Sequence, residues 1–77
     1  MGGVPKPRPC YLDRFAKSHV DGDRQVYFDS LEKIYYTWDS LHGEIEVFNS
    51  RGRHLGAIDA VNGEYIKDAK PGRKIKV

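Results

Sequence analysis

A chain of 77 residues with 39% hydrophobic content has room for one small domain and a thin core, which must lean on Phe15, Tyr27, Phe28, Tyr35, Tyr36, Trp38 and Phe48. Its single cysteine, Cys10, excludes an intrachain disulfide and reads as a small packing residue. Net charge is only +2, but the signs are segregated: Val20 to Glu46 holds seven acids against Arg24 and Lys33, whereas Lys67 to Val77 holds Lys67, Lys70, Arg73, Lys74 and Lys76 against Asp68.

The basic end suits phosphate, or else is a solvated tail. No apolar run reaches membrane-spanning length and no secretory signal is visible. Membrane insertion by this segment is therefore not expected, and any export address would lie on a longer parent chain.

In chain order, residues 1–9, with Pro5, Pro7 and Pro9, read as a linker or boundary segment, leaving 10–77 as the domain. Cys10 to Ser18 has helical spacing, with Leu12, Phe15 and Ala16 at i, i+3 and i+4, and Pro9 suits a helix start. His19 falls in a linker, and Val20 to Asp23 is a turn by composition. Arg24 to Phe28 reads as a short strand with Val26 and Phe28 on one face. Asp29 to Glu32 resembles a capping box, but no helical run follows, so it predicts a turn.

Lys33 to Trp38 is the strongest strand signal, β-branched and aromatic throughout its centre. Glu44 to Asn49 is its partner. Ser50-Arg51-Gly52 closes a second hairpin into a strand over Arg53 to Asp59, where Arg53, Leu55 and Ala57 alternate with His54, Gly56 and Ile58. Asn62-Gly63 is a turn, Glu64 to Lys67 a short strand, Pro71-Gly72 another turn, and Arg73 to Val77 a last edge strand. No internal repeat is apparent. The sum is α+β, mainly β: a short N-terminal helix followed by an antiparallel sheet of about five strands.

The chemistry concentrates in Trp38 to Glu46. Side chains alternate along a strand, so Ile45 and Val47 share one face and Glu44, Glu46 and Phe48 the other. Asp39 and His42 fall at the hairpin tip, where Gly43 allows a tight turn. A histidine among carboxylates is what acid–base chemistry near neutral pH requires, although solvated hairpins also carry such residues. His42 and Glu46 are four residues apart, ~13 Å along a straight strand, so they act together only if the turn folds them together.

Tyr36-Thr37-Trp38-Asp39-Ser40-Leu41-His42-Gly43-Glu44-Ile45-Glu46 resembles the Tyr-x-Trp-Asp-Ser-x-His-Gly-Glu-Leu-Glu run in the C-terminal cytotoxic domain of cloacin and the ribosome-cutting E-group colicins. His54-Leu55-Gly56 follows at the family's spacing, and Pro71 to Lys76 is similar to its basic, arginine-bearing tail. The resemblance covers Ile34 to Val77. It departs upstream: the family is richly basic just before the motif, where this chain has Asp21, Asp23, Asp29 and Glu32.

The resemblance implies a highly twisted antiparallel sheet preceded by a helix. It implies a metal-independent endoribonuclease that cuts small-subunit ribosomal RNA once, in the decoding site. Asp39, His42, Glu46 and Arg73 are then the catalytic residues, with Glu46 as general base, His42 as general acid, Arg73 on the phosphate, and Asp39 orienting the imidazole and holding it protonated. Glu44 and His54 take supporting or RNA-contacting positions, and Lys70, Lys74 and Lys76 belong to the basic tail that meets substrate. No cofactor is expected, and no metal, because the three histidines lack ligand spacing. The expected partners are the ribosome and a cognate, acidic immunity protein.

The domain would be delivered on a larger bacteriocin, pyocin-like or contact-dependent inhibition effector and act in the target bacterium's cytoplasm. Two other functions stay open beside this one: a toxin ribonuclease for another RNA such as transfer RNA, and a non-catalytic RNA- or protein-binding β module.

Overall fold

One turn device, used repeatedly, builds this sheet. In the computed structural model, which describes residues 3–77, Asp29, Asp39, Asn49 and Asp59 each end or follow a strand ten residues after the last. Each turns its side-chain Oδ1 onto the following loop: Asp29 accepts from the Leu31 and Glu32 N–H groups, Asp39 from Leu41 and His42, Asn49 from Arg51 and Arg53, and Asp59 from Val61 and Asn62. Such Asx turns satisfy loop donors that would otherwise need water.

Three of the four close identically. The residue four positions on takes positive φ (Lys33 at 58°, Gly43 at 69°, Gly63 at 75°) and donates its N–H back to the aspartate carbonyl. A ten-residue repeat thus exists where none was apparent in the sequence. It is carried by one Asp or Asn at every tenth position, a signal that lies in the turns and that the strand-by-strand reading passed over.

The result is a single six-stranded antiparallel meander in sequence order: β1 (Ala16–Asp21), β2 (Arg24–Asp29), β3 (Ile34–Asp39), β4 (Glu44–Phe48), β5 (His54–Ile58) and β6 (Tyr65–Asp68). The expected N-terminal helix shrinks to one 3-10 turn, Tyr11–Arg14. Phe15 is already extended, at φ −113° and ψ 150°, and Ala16 onward pairs with β2, so His19 is a strand residue and not a linker. Helical spacing over Leu12 to Ala16 was outweighed by strand pairing, as tertiary context commonly outweighs local propensity. At the other end, Arg73 to Val77 adds no strand; it contributes one bridge, Lys74 to Arg53.

One sheet face carries Tyr27, Tyr36, Ile45, Val47 and Ile58, covered by Cys10, Leu12 and Ala60. Phe15 stacks on Tyr36 with centroids 4.5 Å apart. Ile45 and Leu12 are almost fully buried, each worth ~1.5–3 kcal/mol relative to exposure. Residues 3–6 lie along this side. Val4 donates to Ser40 O at 2.6 Å and accepts from Trp38 Nε1 at 3.2 Å, and Lys6 Nζ reaches the Tyr27 hydroxyl at 2.9 Å.

The opposite face carries Val26, Thr37, Glu46, Phe48 and Ala57, all buried. The C-terminal tail crosses this end of the molecule. On one side it is tied to the start of β5, by His54 N–H to Arg73 O and Ile75 N–H to Gly52 O. On the other it is tied to β1, by a 2.6 Å bond between His19 Nε2 and Lys76 O and by the Lys76 N–H donating to Asp21 Oδ2. Among the described residues, no helix is long and apolar enough to cross a membrane.

Candidate active site

Asp39 pairs across the ladder with Glu44, and Thr37 with Glu46. The Asx turn then carries His42 back over the strand end, so His42 and Glu46 border one small cleft despite their separation in sequence. His42 occupies the turn position held by Glu32 and Asn62 in the matching turns. The hairpin device, closed by Gly43 at positive φ, therefore sets a histidine beside a carboxylate.

Both Asp39 oxygens are used: Oδ1 by the turn, Oδ2 by His42 Nδ1 at 2.9 Å. Burial pushes the Asp39 carboxyl upward. The side-chain and backbone hydrogen bonds from His42, with that from the Leu41 N–H, outweigh it and leave the group below its ordinary value. The imidazole is half exposed, and with Nδ1 engaged its Nε2 is the nitrogen left to meet a substrate.

Glu46 is the buried centre, its side chain only 3% exposed. Oε1 receives Arg73 Nη1 at 2.5 Å and lies 2.8 Å from His54 Nε2, a close polar contact not aligned as a hydrogen bond. His54 Nδ1 accepts the Lys70 backbone N–H at 3.0 Å, so the neutral ring carries its proton on Nε2, toward Glu46.

Strict alternation would put His54 on the core face with Ile58. A bulge prevents that: Val47 pairs with Gly56 but Phe48 pairs with His54, making Leu55 the extra residue. Leu55 packs toward the core, and His54 crosses to the site face, 5.4 Å from the Phe48 ring. The sequence-level alternation of β5 fails here for that reason.

Asp39, His42, Glu46 and Arg73 thus meet at one cleft, with His54 and Lys70 also lining it. Glu44 sits beside it, paired to Lys67 Nζ at 3.0 Å. Lys74 lies on the neighbouring cleft with Lys70. Lys76 is elsewhere, its backbone held by His19 and Asp21.

Lys67 lines the cleft; the sequence marked it as one cation of the basic end but not as a site residue. Its signal was weak: it opens the basic end, and a second bulge, at Ile66, turns it onto the site face opposite Ala57. The donor atoms of Asp39, His42 and Glu44 lie within 4.8 Å of one another, a grouping that histidine spacing alone did not reveal. Within the group, Asp39 contacts His42, and Glu44 is paired to Lys67.

Fold and site together define a small β-sheet domain with an acid–base cleft flanked by cations. The chain belongs to the Cytotoxic family, whose model matches residues 13–76. It is 41% identical to cloacin of Escherichia coli over 56 residues, covering 71% of this chain and 10% of cloacin. It is 38% identical to colicin E3 over 75 residues, 96% of this chain and 12% of that protein, and 38% identical to colicin E6 over 56 residues, 71% of this chain and 10% of that protein, both from Escherichia coli. The chain therefore spans about a tenth of the length of these relatives.

Proposed function

We propose that this domain is a toxin endoribonuclease that cuts small-subunit ribosomal RNA at the decoding site and stops translation, without a metal ion. The observation that supports it most is the convergence on one cleft of a histidine held by Asp39 and a buried Glu46 held by Arg73 and His54. The Cytotoxic family membership supports the toxin role.

RNA supplies its own nucleophile. Glu46 takes the 2′-hydroxyl proton, the 2′ oxygen attacks phosphorus, and the bond to the 5′ oxygen breaks as His42 Nε2 protonates it, leaving a 2′,3′-cyclic phosphate and a 5′-hydroxyl. Both resting contacts of Glu46 fall on Oε1, so Oε2 is the oxygen that takes the proton. Arg73 shares its guanidinium between Glu46 and the phosphate, neutralising charge as it builds on the phosphorane. Each proton-transfer group contributes ~10²–10⁴-fold.

The domain would reach its target on a larger secreted or surface-delivered effector, and a producing cell would carry an acidic immunity protein against it. The test is to incubate the domain with intact bacterial ribosomes in the presence of chelator and run the extracted RNA on a gel. The expected result is one short fragment from the 3′ end of small-subunit RNA, absent with Glu46→Gln. Loss of cutting on chelation overturns the metal-free mechanism, and intact ribosomal RNA moves the substrate to another RNA.

A further inference from the structure

An endonuclease must hold RNA beyond the phosphate it cuts, and the segment ahead of the catalytic hairpin, with Asp21, Asp23, Asp29 and Glu32, is the wrong sign for that. Positive charge gathers instead behind His54. Arg53, Lys70, Arg73 and Lys74 line a cleft of about 430 Å³ whose walls include the buried His54 and no carboxylate. Backbone geometry builds it: the Lys74 to Arg53 bridge sets those residues side by side. The turn closed by the Arg73 N–H on Lys70 O brings Lys70 round, and the Lys70 N–H is fixed on His54 Nδ1.

Arg73 is paired with Glu46, but among the described residues Arg53, Lys70 and Lys74 have no carboxylate partner, and all are exposed. Like charges collected this way repel one another and favour a bound anion. The cleft is also contiguous with the catalytic one: His54, Lys70 and Arg73 line both, so an anion held here lies beside the catalytic groups.

We propose that Arg53, Lys70 and Lys74 form a phosphate subsite that grips an RNA phosphodiester adjoining the one cleaved, on the Glu46 side of the centre. This takes over the gripping role that the acidic β1–β2 region cannot perform. The proposal rests on the ribonuclease reading above and adds Arg53, which that reading does not use.

The test separates binding from cutting. The intact domain is titrated with a fluorescently labelled, fully 2′-O-methylated single-stranded RNA, which has no free 2′-hydroxyl and cannot be cleaved, between 50 and 200 mM salt. Each phosphate contact on a single strand contributes a slope of about −0.7 to log K against log salt. Arg53→Gln is expected to flatten the slope by about 0.7, and Arg53→Gln with Lys70→Gln and Lys74→Gln by about 2. Lys17→Gln, on β1 and away from the cleft, is expected to leave it unchanged.

An unaltered slope in the triple variant overturns the subsite even if the wild-type domain cuts RNA. Equal flattening by Lys17→Gln also overturns it, since the effect is then general charge. Should the triple variant bind RNA normally but lose an acidic protein inhibitor, the cleft is a protein interface and the proposal fails. Wild-type domain that binds this RNA with the expected slope yet cuts no natural RNA overturns the ribonuclease reading and leaves the subsite standing.

Discussion

Asp39 and the two site histidines show how much single atoms decide here. The hydrogen bonds to Asp39 hold its carboxyl below the ordinary 3.8 despite burial. A depressed folded-state pKa means stability that is complete above the unfolded value and is lost as pH falls through the folded one. Wild-type protein should therefore lose stability as pH drops below about 4, and Asp39→Asn should lack that part of the loss. Urea unfolding at pH 7, 4 and 2.5 reads it; parallel acid limbs for the two proteins would refute the linkage.

His42 and His54 should then separate cleanly. His42 is half exposed, whereas the carboxylate it pairs with, Asp39, is buried. His42→Ala should therefore cost ~10²–10⁴ in rate and ~1 kcal/mol of stability, for the Asp39 oxygen that loses its partner. His54 is buried and accepts a backbone donor, so His54→Ala leaves the Lys70 N–H without its acceptor and opens space beside Glu46 Oε1. It should cost ~1–3 kcal/mol of stability, with activity falling because Glu46 is no longer held. Rate and unfolding measurements on both variants check the contrast.

At the scale of elements, bulges and tethers put residues where alternation alone would not. Gly56 sits at φ 147°, and a Cβ there would stand 2.5 Å from Lys67 O. Gly56→Ala should cost on the order of 1–3 kcal/mol, and because the β5 bulge carries His54, activity should fall further than stability alone explains. The tail is a second such element. His19 and Asp21 hold Lys76, three residues past Arg73. His19→Ala should lower the cleavage rate by letting Arg73 drift from Glu46. In an Arg73→Ala background the same change should cost little, since coupled sites are non-additive; full additivity in that cycle would show that His19 acts otherwise.

The same elements explain what could be read in advance. Hairpin β3–β4 was legible because its strands alternate without interruption and its turn is local, so the faces of Trp38, Ile45 and Glu46 came out right. The Asn62-Gly63 turn was legible for the same local reason. The β1 strand was not, because Leu12, Phe15 and Ala16 mimic helical spacing. His54 was assigned to the wrong face because a one-residue bulge inverts parity. The placement of Arg73 depends on the tail crossing from β5 to β1, which no local pattern encodes.

For the whole molecule, charge arrangement counts for more than the net +2. The tail folds back so that Arg73 and Lys74 face Asp21, Asp23 and Asp39 across a third cleft, which mutes part of the acidic stretch. The Arg53–Lys70–Lys74 cleft itself has no carboxylate in its lining, although Lys74 and Lys70 each also border a cleft that does. Attraction for an anionic partner is therefore local to that side and not a property of the domain's overall field.

An acidic immunity protein would be steered to that side. Steering acts through unscreened charge, with a Debye length near 10 Å at 0.1 M salt and near 3 Å at 1 M. Its association rate should fall roughly tenfold or more from low to high salt while dissociation changes little. Stopped-flow mixing of domain and inhibitor across that range measures both constants. Neutralising Arg53, Lys70 and Lys74 together should flatten the salt dependence of association. A salt-independent on-rate, or a triple variant as steep as wild type, would place the inhibitor on another face, away from the Arg53–Lys70–Lys74 cleft.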